Sequence, residues 1–183
     1  MAKTGFPSIS VITPTYEGSE LVLDKCLKLV RHQNYPQGKI EIILGDGSVN
    51  DKNLRVAKKY KAKVIKISPH LQNAEYNRGV AFNNAKNELV LVLDNDNFLP
   101  YKNWLRDMVE PILTHPELVA VETCFYRYNK SFGILDRYFA LFGVSEPLPF
   151  YLKKADRMPW GSKDWILQGK SQDMGNYYLV EFE

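Results

Sequence analysis

The chain has 183 residues, of which 45% are hydrophobic and 25% are charged, so it has the make-up of an ordinary globular protein with enough apolar surface to bury a core. Its formal net charge of +3 comes from Lys and Arg spread along the chain. The dense basic run that usually marks a nucleic-acid groove is absent from the sequence, and we predict no nucleic-acid partner.

The cysteines and the N-terminus bear on the compartment. Cys26 and Cys124 are far apart and lie in no CxxC or Cys/His pattern, which favours reduced, buried thiols over a disulfide framework or a zinc site. Residues 1–8 lack the apolar core of a signal peptide, and the longest apolar runs, such as Leu89–Leu93, are too short to span a bilayer. We therefore expect a soluble, cytoplasmic protein.

The first two thirds of the chain alternate short β-rich runs with helical patterns. This alternation is typical of a mostly parallel sheet with helices on both faces, so we predict a Rossmann-like α/β fold. Apolar residues at helical spacing, such as Leu23, Leu27 and Val30, indicate helices that pack on the sheet. The predicted strands are Ser8–Thr13, Ile40–Leu44, Ala62–Ile67, Leu89–Leu93 and Val119–Thr123.

Local chemistry predicts where two of the helices begin and end. Ser19 or Gly18 is a suitable cap for the first helix, which is expected to run towards Gln33. A later helix is expected to begin near Pro100 and to end at His115, ahead of a second proline.

Aromatic residues crowd the sequence after about residue 127. We expect one helix near Gly133–Phe142, then irregular loops, and a final strand at Tyr177–Phe182. The chain is accordingly divided into an α/β domain of residues 1–126 and an aromatic-rich extension of residues 127–183. Most of these aromatics are expected to be core, and the alternative is an acceptor channel or a peripheral contact with a membrane. Three basic residues accompany them, namely Lys153, Lys154 and Arg157.

In open α/β sheets, ligands bind beyond the carboxyl ends of the strands, and these positions are polar here. The first predicted strand is followed by Pro14, Thr15, Tyr16 and Glu17. The second is followed by the segment Asp46–Asp51, and the fourth by Asp94, Asn95 and Asp96. The sequence therefore predicts a binding site at this edge of the sheet.

Asp94 and Asp96 are separated by one residue, directly after the apolar run Leu89–Leu93. Two carboxylates this close repel each other at the edge of a low-dielectric core, and a bound cation removes that penalty. Oxygen ligands select Mg²⁺ or Mn²⁺, which take one or two protein carboxylates and complete their shell with phosphate oxygens and water. The alternative is a polar turn in which the Asp side chains cap the following helix.

Other strand-end residues permit two interpretations each. Asp46 can accept hydrogen bonds from a base or a ribose, but Asp-Gly is also a very common turn dipeptide. Tyr16 can stack on a nucleobase or cover the sheet edge. Asn77 can hydrogen-bond a ligand and Arg78 can pair with phosphate, although a solvated Arg78 is favoured. Gly79 beside them suggests a close contact between helix and sheet.

Taken in order, these segments resemble the inverting family 2 glycosyltransferases of the GT-A fold. The segment Val11–Tyr16 resembles the opening strand and PTYN-type turn, with Glu17 in place of the usual Asn. The segment Tyr35–Ile43 is similar to the QxYP…EIIV stretch, and Asp46 to Asp51 keeps the D-x4-D spacing of the DGGSTD-like loop. Asn77-Arg78-Gly79 looks like the core of ARNxG, with Tyr76 in place of Arg, and Asp94-Asn95-Asp96 falls where the DXD motif belongs.

The resemblance implies transfer of a sugar from a UDP- or GDP-sugar, with inversion and with Mn²⁺ or Mg²⁺, to a saccharide, lipid or protein acceptor. It implies that Pro14, Tyr16 and Glu17 line the nucleotide pocket, that Asp46 binds the base, that Asp94 contacts ribose or metal, and that Asp96 ligates the metal. Thr15, Asn77 and Asn95 complete the predicted nucleotide-sugar site.

An inverting transfer also needs a general base for the acceptor hydroxyl. Family members usually supply it from a Glu-Asp-type motif well after the DXD segment, and this sequence has no matching motif. The available carboxylates are Asp156, Asp164, Asp173 and Glu181, none of which is assigned. We therefore keep a second hypothesis, a nucleotide-sugar-binding module or a fragment of a longer enzyme. A dinucleotide enzyme is excluded, because GxGxxG does not follow the first strand.

Overall fold

A parallel four-stranded sheet organises the N-terminal part of the chain. The computed structural model describes residues 5–143, 147–152, 157–162 and 170–181. The sheet runs in the order β3-β2-β1-β4. Its strands are β1 (Ile9–Thr15), β2 (Ile40–Asp46), β3 (Lys63–Lys66) and β4 (Leu89–Val92). The predicted positions of these strands are confirmed to within two residues at each end.

Three helices connect these strands, namely α1 (Glu20–Arg31), α2 (Lys52–Lys59) and α3 (Ala74–Phe82). Right-handed crossovers from β1 to β2 and from β2 to β3 step in one direction along the sheet, so they place α1 and α2 on one face, where these helices contact each other. The return from β3 to β4 runs the other way and places α3 on the opposite face, against β1 and β2. The predicted α/β fold with helices on both faces is confirmed.

Strand residues alternate between the two faces of the sheet. Ile12 and Ile43 are fully buried in one cluster with Ala81 of α3. Val11 precedes Ile12 in β1, so its side chain points to the other face of the sheet, where it is also fully buried. Helix α1 contributes the buried Leu27. Each such aliphatic side chain contributes about 1.5–3 kcal/mol when it leaves water. This burial fixes the register of the strands, because a slip of one residue would turn apolar side chains to the wrong face.

The chain divides into two compact units, Met1–Asp107 and Met108–Glu183, and α4 (Trp104–Thr114) spans their boundary. The second unit contains the helices α5 (Ile134–Phe142) and α6 (Pro147–Tyr151) and an antiparallel pair, β5 (Lys170–Asp173) and β6 (Tyr178–Glu181). Phe142 of α5 and Phe150 of α6 contact each other with ring centroids 5.0 Å apart. Whether residues 127–183 form an acceptor-side extension stays a prediction.

Three sequence predictions for the secondary structure are wrong. Val119–Thr123 is not a strand, and Val119 is fully exposed, so its apolar side chain covers nothing within the described residues. The later helix begins at Trp104 rather than near Pro100. Carbonyls of Tyr101 and Lys102 accept hydrogen bonds from the Gln33 side chain and the Asn34 amide instead. Helix α6 lies where irregular loops were expected.

The other predictions for the C-terminal part have mixed outcomes. The helix predicted near Gly133–Phe142 is confirmed, and it ends at Gly143, whose φ of 69° suits a residue without a side chain. The final strand is confirmed over Tyr178–Glu181. Strand β5 was not predicted. Lys153, Lys154, Asp156, Asp164 and Phe182 lie outside the described residues. Among the helices that the structure does describe, none is long and apolar enough to cross a bilayer.

Candidate functional site

The ends of β1 and β2 lie side by side, because the two strands pair in register from Ile9 and Ile40 up to Thr15 and Asp46. Pro14 and Thr15 are buried, and Pro14 pairs with Gly45. The loops that carry the predicted site residues therefore leave the sheet at the same level. All residues of the candidate site belong to the first unit.

Asp46 is a buried carboxylate that the protein itself satisfies. Its side chain has 0% exposure. Oδ1 accepts hydrogen bonds from the Thr15 hydroxyl at 2.8 Å and the Asn53 amide at 3.0 Å. Oδ2 accepts from the Ser48 hydroxyl at 2.7 Å and the Lys66 ammonium at 2.8 Å. Burial raises the pKa of this carboxyl group, but the four donors outweigh burial and leave the pKa below its usual value.

Lys66 belongs to the candidate site through its contact with Asp46, and it was not predicted from the sequence. It is the last residue of β3 and pairs in register with Asp46. Its ammonium also donates to the backbone carbonyl of Ser48 at 3.1 Å and to that of Asn50 at 3.3 Å, so it fastens the loop after β2. The available signal was its position, since the residue at the end of the third strand shares the edge of the sheet with the other strand ends.

Glu17 ties the loop after β1 to the loop after β2. Its Oε2 accepts hydrogen bonds from the backbone N–H of Val49 at 2.8 Å and of Asn50 at 3.3 Å. Its Oε1 accepts from the side-chain amide of Asn50. A carboxylate at this position can therefore hold three donors of the neighbouring loop at once, which keeps the two loops together.

Asn77 pins α3 to the end of β1. Its side-chain amide donates to the carbonyl of Thr15 at 3.1 Å, and the residue is only 2% exposed. The approach of α3 to β2 is equally close, because a Cβ on Gly45 would lie 2.1 Å from the carbonyl oxygen of Asn77. Glycine at position 45 is therefore required by packing. The Oδ1 atom of Asn77 is buried and has no hydrogen-bond partner within the described part of the chain.

Gly45, and not Gly79, makes the close contact between α3 and the sheet. Gly79 is exposed, and a Cβ built on it would meet open space. The expectation that Gly79 forms a helix–sheet contact is therefore wrong. Gly45 was not singled out from the sequence, because the α3–β2 contact depends on tertiary packing.

Arg78 forms an ion pair with Asp94, so the preference for a solvated Arg78 is also wrong. Its Nη2 lies 2.8 Å from Oδ1 of Asp94, and its Nη1 contacts Glu75. The hydrogen bond with Asp94 raises the pKa of the guanidinium further. The Asp94 side chain is 42% exposed and that of Arg78 is 29% exposed. The pair is thus accessible to an incoming ligand.

The segment Asp94-Asn95-Asp96 forms a turn, in which the Asn97 amide donates to the Asp94 carbonyl at 3.0 Å. Asn95 is buried, whereas Asp96 is exposed and its carboxylate makes no hydrogen bond or ion pair with the described residues. The alternative that these side chains cap a following helix is wrong, because α4 begins only at Trp104. One carboxylate is paired with an arginine and the other faces solvent.

Cys26 is a buried cysteine close to this turn. Its thiol contacts the Asp94 carbonyl at 3.9 Å. Burial raises the pKa of Cys26 to about 12, and the negative charges of Asp96 and Asp94 add to that rise. No group of three or more His, Cys, Asp or Glu side chains that could hold a metal ion occurs in the described ranges.

The predicted site residues are joined by one run of contacts. It passes from Asp46 to Thr15, from the Thr15 carbonyl to Asn77, and along α3 to Arg78 and Asp94. Tyr16 and Glu17 lie beside this run, and the Tyr16 side chain is 58% exposed, so its ring is available to a ligand. Asp96 makes no direct contact with the run, although it follows Asp94 by two residues.

Comparisons with known proteins match this chain to one family. The sequence model described as Glycosyl transferase family 2 matches residues 10–171. Poly(ribitol-phosphate) beta-N-acetylglucosaminyltransferase TarS of Staphylococcus aureus is 32% identical over 110 residues, which are 58% of this chain and 19% of that protein. Glycosyltransferase AglE of Haloferax volcanii is 28% identical over 110 residues, 36% of its length. The chain thus spans well under half the length of these relatives.

Solved structures give the same result for the fold. The structure of S. aureus TarS residues 1–349 in complex with UDP superposes with a TM-score of 0.52 and 25% identity, and covers 66% of this chain and 40% of that one. The mannosyltransferase PcManGT of Pyrobaculum calidifontis, solved with GDP-Man and Mn²⁺, superposes with a TM-score of 0.50 and 22% identity over 60% of this chain and 33% of its own. The GT-A fold predicted for the chain is confirmed.

Proposed function

This chain belongs to glycosyl transferase family 2, and we propose that it binds a UDP- or GDP-sugar at the carboxyl edge of its sheet for inverting, metal-assisted transfer of the sugar. One observation carries the proposal. A run of contacts through Thr15, Asn77 and Arg78 connects Asp46 to Asp94. The Asp96 carboxylate and the Tyr16 ring remain exposed beside it. A preorganised polar edge with exposed groups supports ligand binding.

The nucleoside side of the site is proposed to lie over the ends of β1 and β2. Tyr16 offers an exposed aromatic face for stacking on a base. The pairing of Pro14 and Thr15 with β2 fixes where the loop after β1 leaves the sheet. Glu17 holds the loop after β2 by accepting hydrogen bonds from the Val49 and Asn50 amides. Asp46, which the family resemblance assigns to the base, would reach it only by exchanging one of its present donors.

The diphosphate side is proposed to lie at Asp94 and Asp96, with Asn77 and Asn95 nearby. The two carboxylates fit Mn²⁺ or Mg²⁺, since these ions take one or two protein carboxylates and otherwise phosphate oxygens and water. Asp96 has an exposed carboxylate without a protein partner, and Asp94 has one oxygen outside its pair with Arg78. When bound, such a cation neutralises the charge that develops on the departing nucleoside diphosphate.

The residues of the chain contribute positioning and charge. The Asn77 amide holds α3 against the Thr15 carbonyl, which fixes the distance between the nucleoside side and the diphosphate side. Arg78 adds a permanent positive charge, and a guanidinium suits phosphate oxygens. These groups stabilise the negative charge that develops on the leaving group in the transition state, and they do so without transferring a proton.

The general base remains unassigned. Asp173 and Glu181 lie on β5 and β6, and a carboxylate oxygen of Asp173 accepts the Gly175 amide at 2.7 Å. A second candidate function is binding of a nucleotide sugar without transfer, because residues 97–183 contain no Glu-Asp-type motif that would supply the general base. The acceptor class and the cytoplasmic or membrane-peripheral location stay predictions.

Calorimetric titration tests the proposal. We expect UDP or GDP to bind the 183-residue chain more tightly with Mn²⁺ than without it, and we expect Asp96→Ala to weaken the metal-dependent binding by at least about tenfold. Asp136→Ala, which removes an exposed carboxylate from α5 of the second unit, is the matched control and should bind like the wild type. Equal nucleotide affinity of the Asp96 variant and the wild type would remove the metal site from the proposal.

A separate assay distinguishes transfer from binding alone. Release of UDP from UDP-GlcNAc, or of GDP from GDP-mannose, reports transfer to water when no other acceptor is present. Donor binding together with slow nucleotide release supports the transferase. Donor binding without any release, at protein concentrations close to that of the donor, supports the binding module instead.

A further inference from the structure

Arg78 is placed so that it contacts one of the two predicted metal ligands. Its Nη2 donates to Oδ1 of Asp94 at 2.8 Å, while its Nη1 contacts Glu75 one turn earlier in α3. Its Nε is buried and has no hydrogen-bond partner among the described residues. The guanidinium is therefore held by two carboxylates, but one of its N–H donors has no acceptor. An unused donor favours exchange of its partners for a ligand with more acceptors.

We propose that Arg78 is a placeholder cation for Asp94, which occupies this carboxylate until a diphosphate arrives, so that a divalent cation binds with the nucleotide rather than before it. The inference rests on the proposed function, because it concerns the same Asp94 and Asp96 carboxylates. It goes beyond that function by assigning a role to Arg78 and an order to ligand binding.

The electrostatics of the turn support this role. Without a cation, the turn carries the negative charges of Asp94 and Asp96, and Arg78 compensates one of them. A divalent cation at Asp94 would meet a permanent positive charge within a few ångströms, which lowers its affinity. A diphosphate reverses this balance, because its negative charge can pair with both the guanidinium and the metal.

The exposure of the pair permits such an exchange. The side chains of Arg78 and Asp94 are 29% and 42% exposed, and ion pairs accessible to water contribute little net stability. Breaking the pair is therefore a small cost for an incoming ligand. By contrast, the Asp46 carboxylate is fully buried under four donors, and a cation has no comparable access there.

Mn²⁺ binding without nucleotide, measured by electron paramagnetic resonance of free Mn²⁺, tests the placeholder directly. We expect Arg78→Gln to bind Mn²⁺ up to about fivefold more tightly than the wild type, the factor for losing an exposed ion pair at the upper end of the usual range. Arg78→Lys keeps the charge and should stay within about twofold of the wild type. Circular dichroism and thermal melting establish that each variant is folded.

Arg55→Gln is the matched control, because it removes the same charge from an exposed position on α2. A gain in Mn²⁺ affinity confined to Arg78→Gln supports the placeholder. An equal gain in Arg55→Gln, or no gain in Arg78→Gln, overturns the placeholder role. The role is also overturned if neither the wild type nor Arg78→Gln binds Mn²⁺.

The same titration with saturating UDP and GDP tests the exchange. We expect the nucleotide to tighten Mn²⁺ binding more in the wild type than in Arg78→Gln, so that the fivefold difference shrinks. A difference that persists unchanged in the nucleotide complex overturns the exchange. If neither nucleotide binds to the wild type, the proposed function fails, and the Mn²⁺ titration without nucleotide still decides whether Arg78 competes for Asp94.

Discussion

The loop after β2 and the loop after β4 both place acidic residues at the same edge of the sheet, yet they treat them in opposite ways. Asp46 has 0% side-chain exposure and accepts hydrogen bonds from Thr15, Ser48, Asn53 and Lys66. Asp94 shares a single ion pair and Asp96 is exposed. The first loop uses its carboxylate to organise the protein, whereas the second leaves carboxylate oxygens available to a ligand.

This difference separates two requirements of a binding site. A site needs groups whose positions are fixed, and it needs groups whose bonding capacity is unused. In the candidate site, the residues at the ends of β1, β2 and β3 mainly meet the first requirement, and the turn after β4 meets the second. Stability, backbone packing, acid sensitivity and local hydrogen exchange each depend on this division.

The largest effect is expected from Asp46→Ala. This change removes the acceptor shared by four donors, and we expect the free energy of unfolding to fall by about 3 kcal/mol, the low end for breaking a buried pair, because the Lys66 ammonium can be rehydrated. Urea denaturation followed by circular dichroism measures it. Asp96→Ala should change the stability by less than about 0.5 kcal/mol. Similar losses in the two variants would contradict the division between the loops.

A smaller loss is expected from Gly45→Ala, because its Cβ would lie 2.1 Å from the carbonyl oxygen of Asn77, a backbone atom that cannot rotate away. We expect a destabilisation of about 2 kcal/mol. The matched control has the opposite sign, since Gly79→Ala adds a helix-favouring residue in open space and should stabilise the protein by about 0.8 kcal/mol. Thermal and urea unfolding of the pair measures both, and two effects of the same sign would refute the packing argument.

Acid sensitivity is the third test. Because hydrogen bonding holds the pKa of Asp46 below the usual 3.8, this group stabilises the fold at neutral pH, and the contribution is lost as pH falls through the pKa of the folded state. We expect the stability of the wild type to fall more steeply below about pH 4 than that of Asp46→Asn. The difference between the two is the relevant quantity, since Asp24 also has a lowered pKa and adds to the acid sensitivity of both. Parallel curves would contradict the role of Asp46.

The smallest effect is expected from Glu17→Gln. Glu17 is exposed, so its loss should cost less than about 0.5 kcal/mol in global stability. It should nevertheless speed hydrogen exchange of the Val49 and Asn50 amides by at least about twofold, because both donate to its carboxylate. The Ile67 amide, which donates to the Asp46 carbonyl at 2.9 Å, serves as the internal control. Faster exchange at all three amides would indicate a global rather than a local effect.

The sequence was sufficient for the sheet and for the edge that carries the candidate site. Apolar runs of strand length, with polar residues directly after them, locate β1, β2 and β4 and place Thr15, Asp46 and Asp94 at neighbouring strand ends. These are local features, and parallel pairing makes them converge. The false strand at Val119–Thr123 shows the limit of this reasoning, because a β-rich run becomes a strand only when a partner strand accepts its hydrogen bonds.

The partners of the charged groups could not be predicted in the same way. Arg78 and Asp94 are 16 residues apart, and Lys66 and Asp46 are 20 residues apart, so neither pair has a short-range signature. The close contact of Gly45 with α3 also has no short-range signature, because it depends on how α3 lies on β2. Pairing of side chains is decided by tertiary packing after the strands have assembled.

The Lys66 ammonium offers a point of chemical access to this otherwise closed part of the molecule. The side chain is 43% exposed, yet its nitrogen donates to Asp46 and to two carbonyls of the loop after β2. An acyl group on this nitrogen would cancel the charge and leave a single N–H where three donors are in use. Acylation of this one lysine would thus remove hydrogen bonds that hold the Ser48–Asn50 segment in place. It would also expose the Asp46 carboxylate, which the native protein keeps out of solvent.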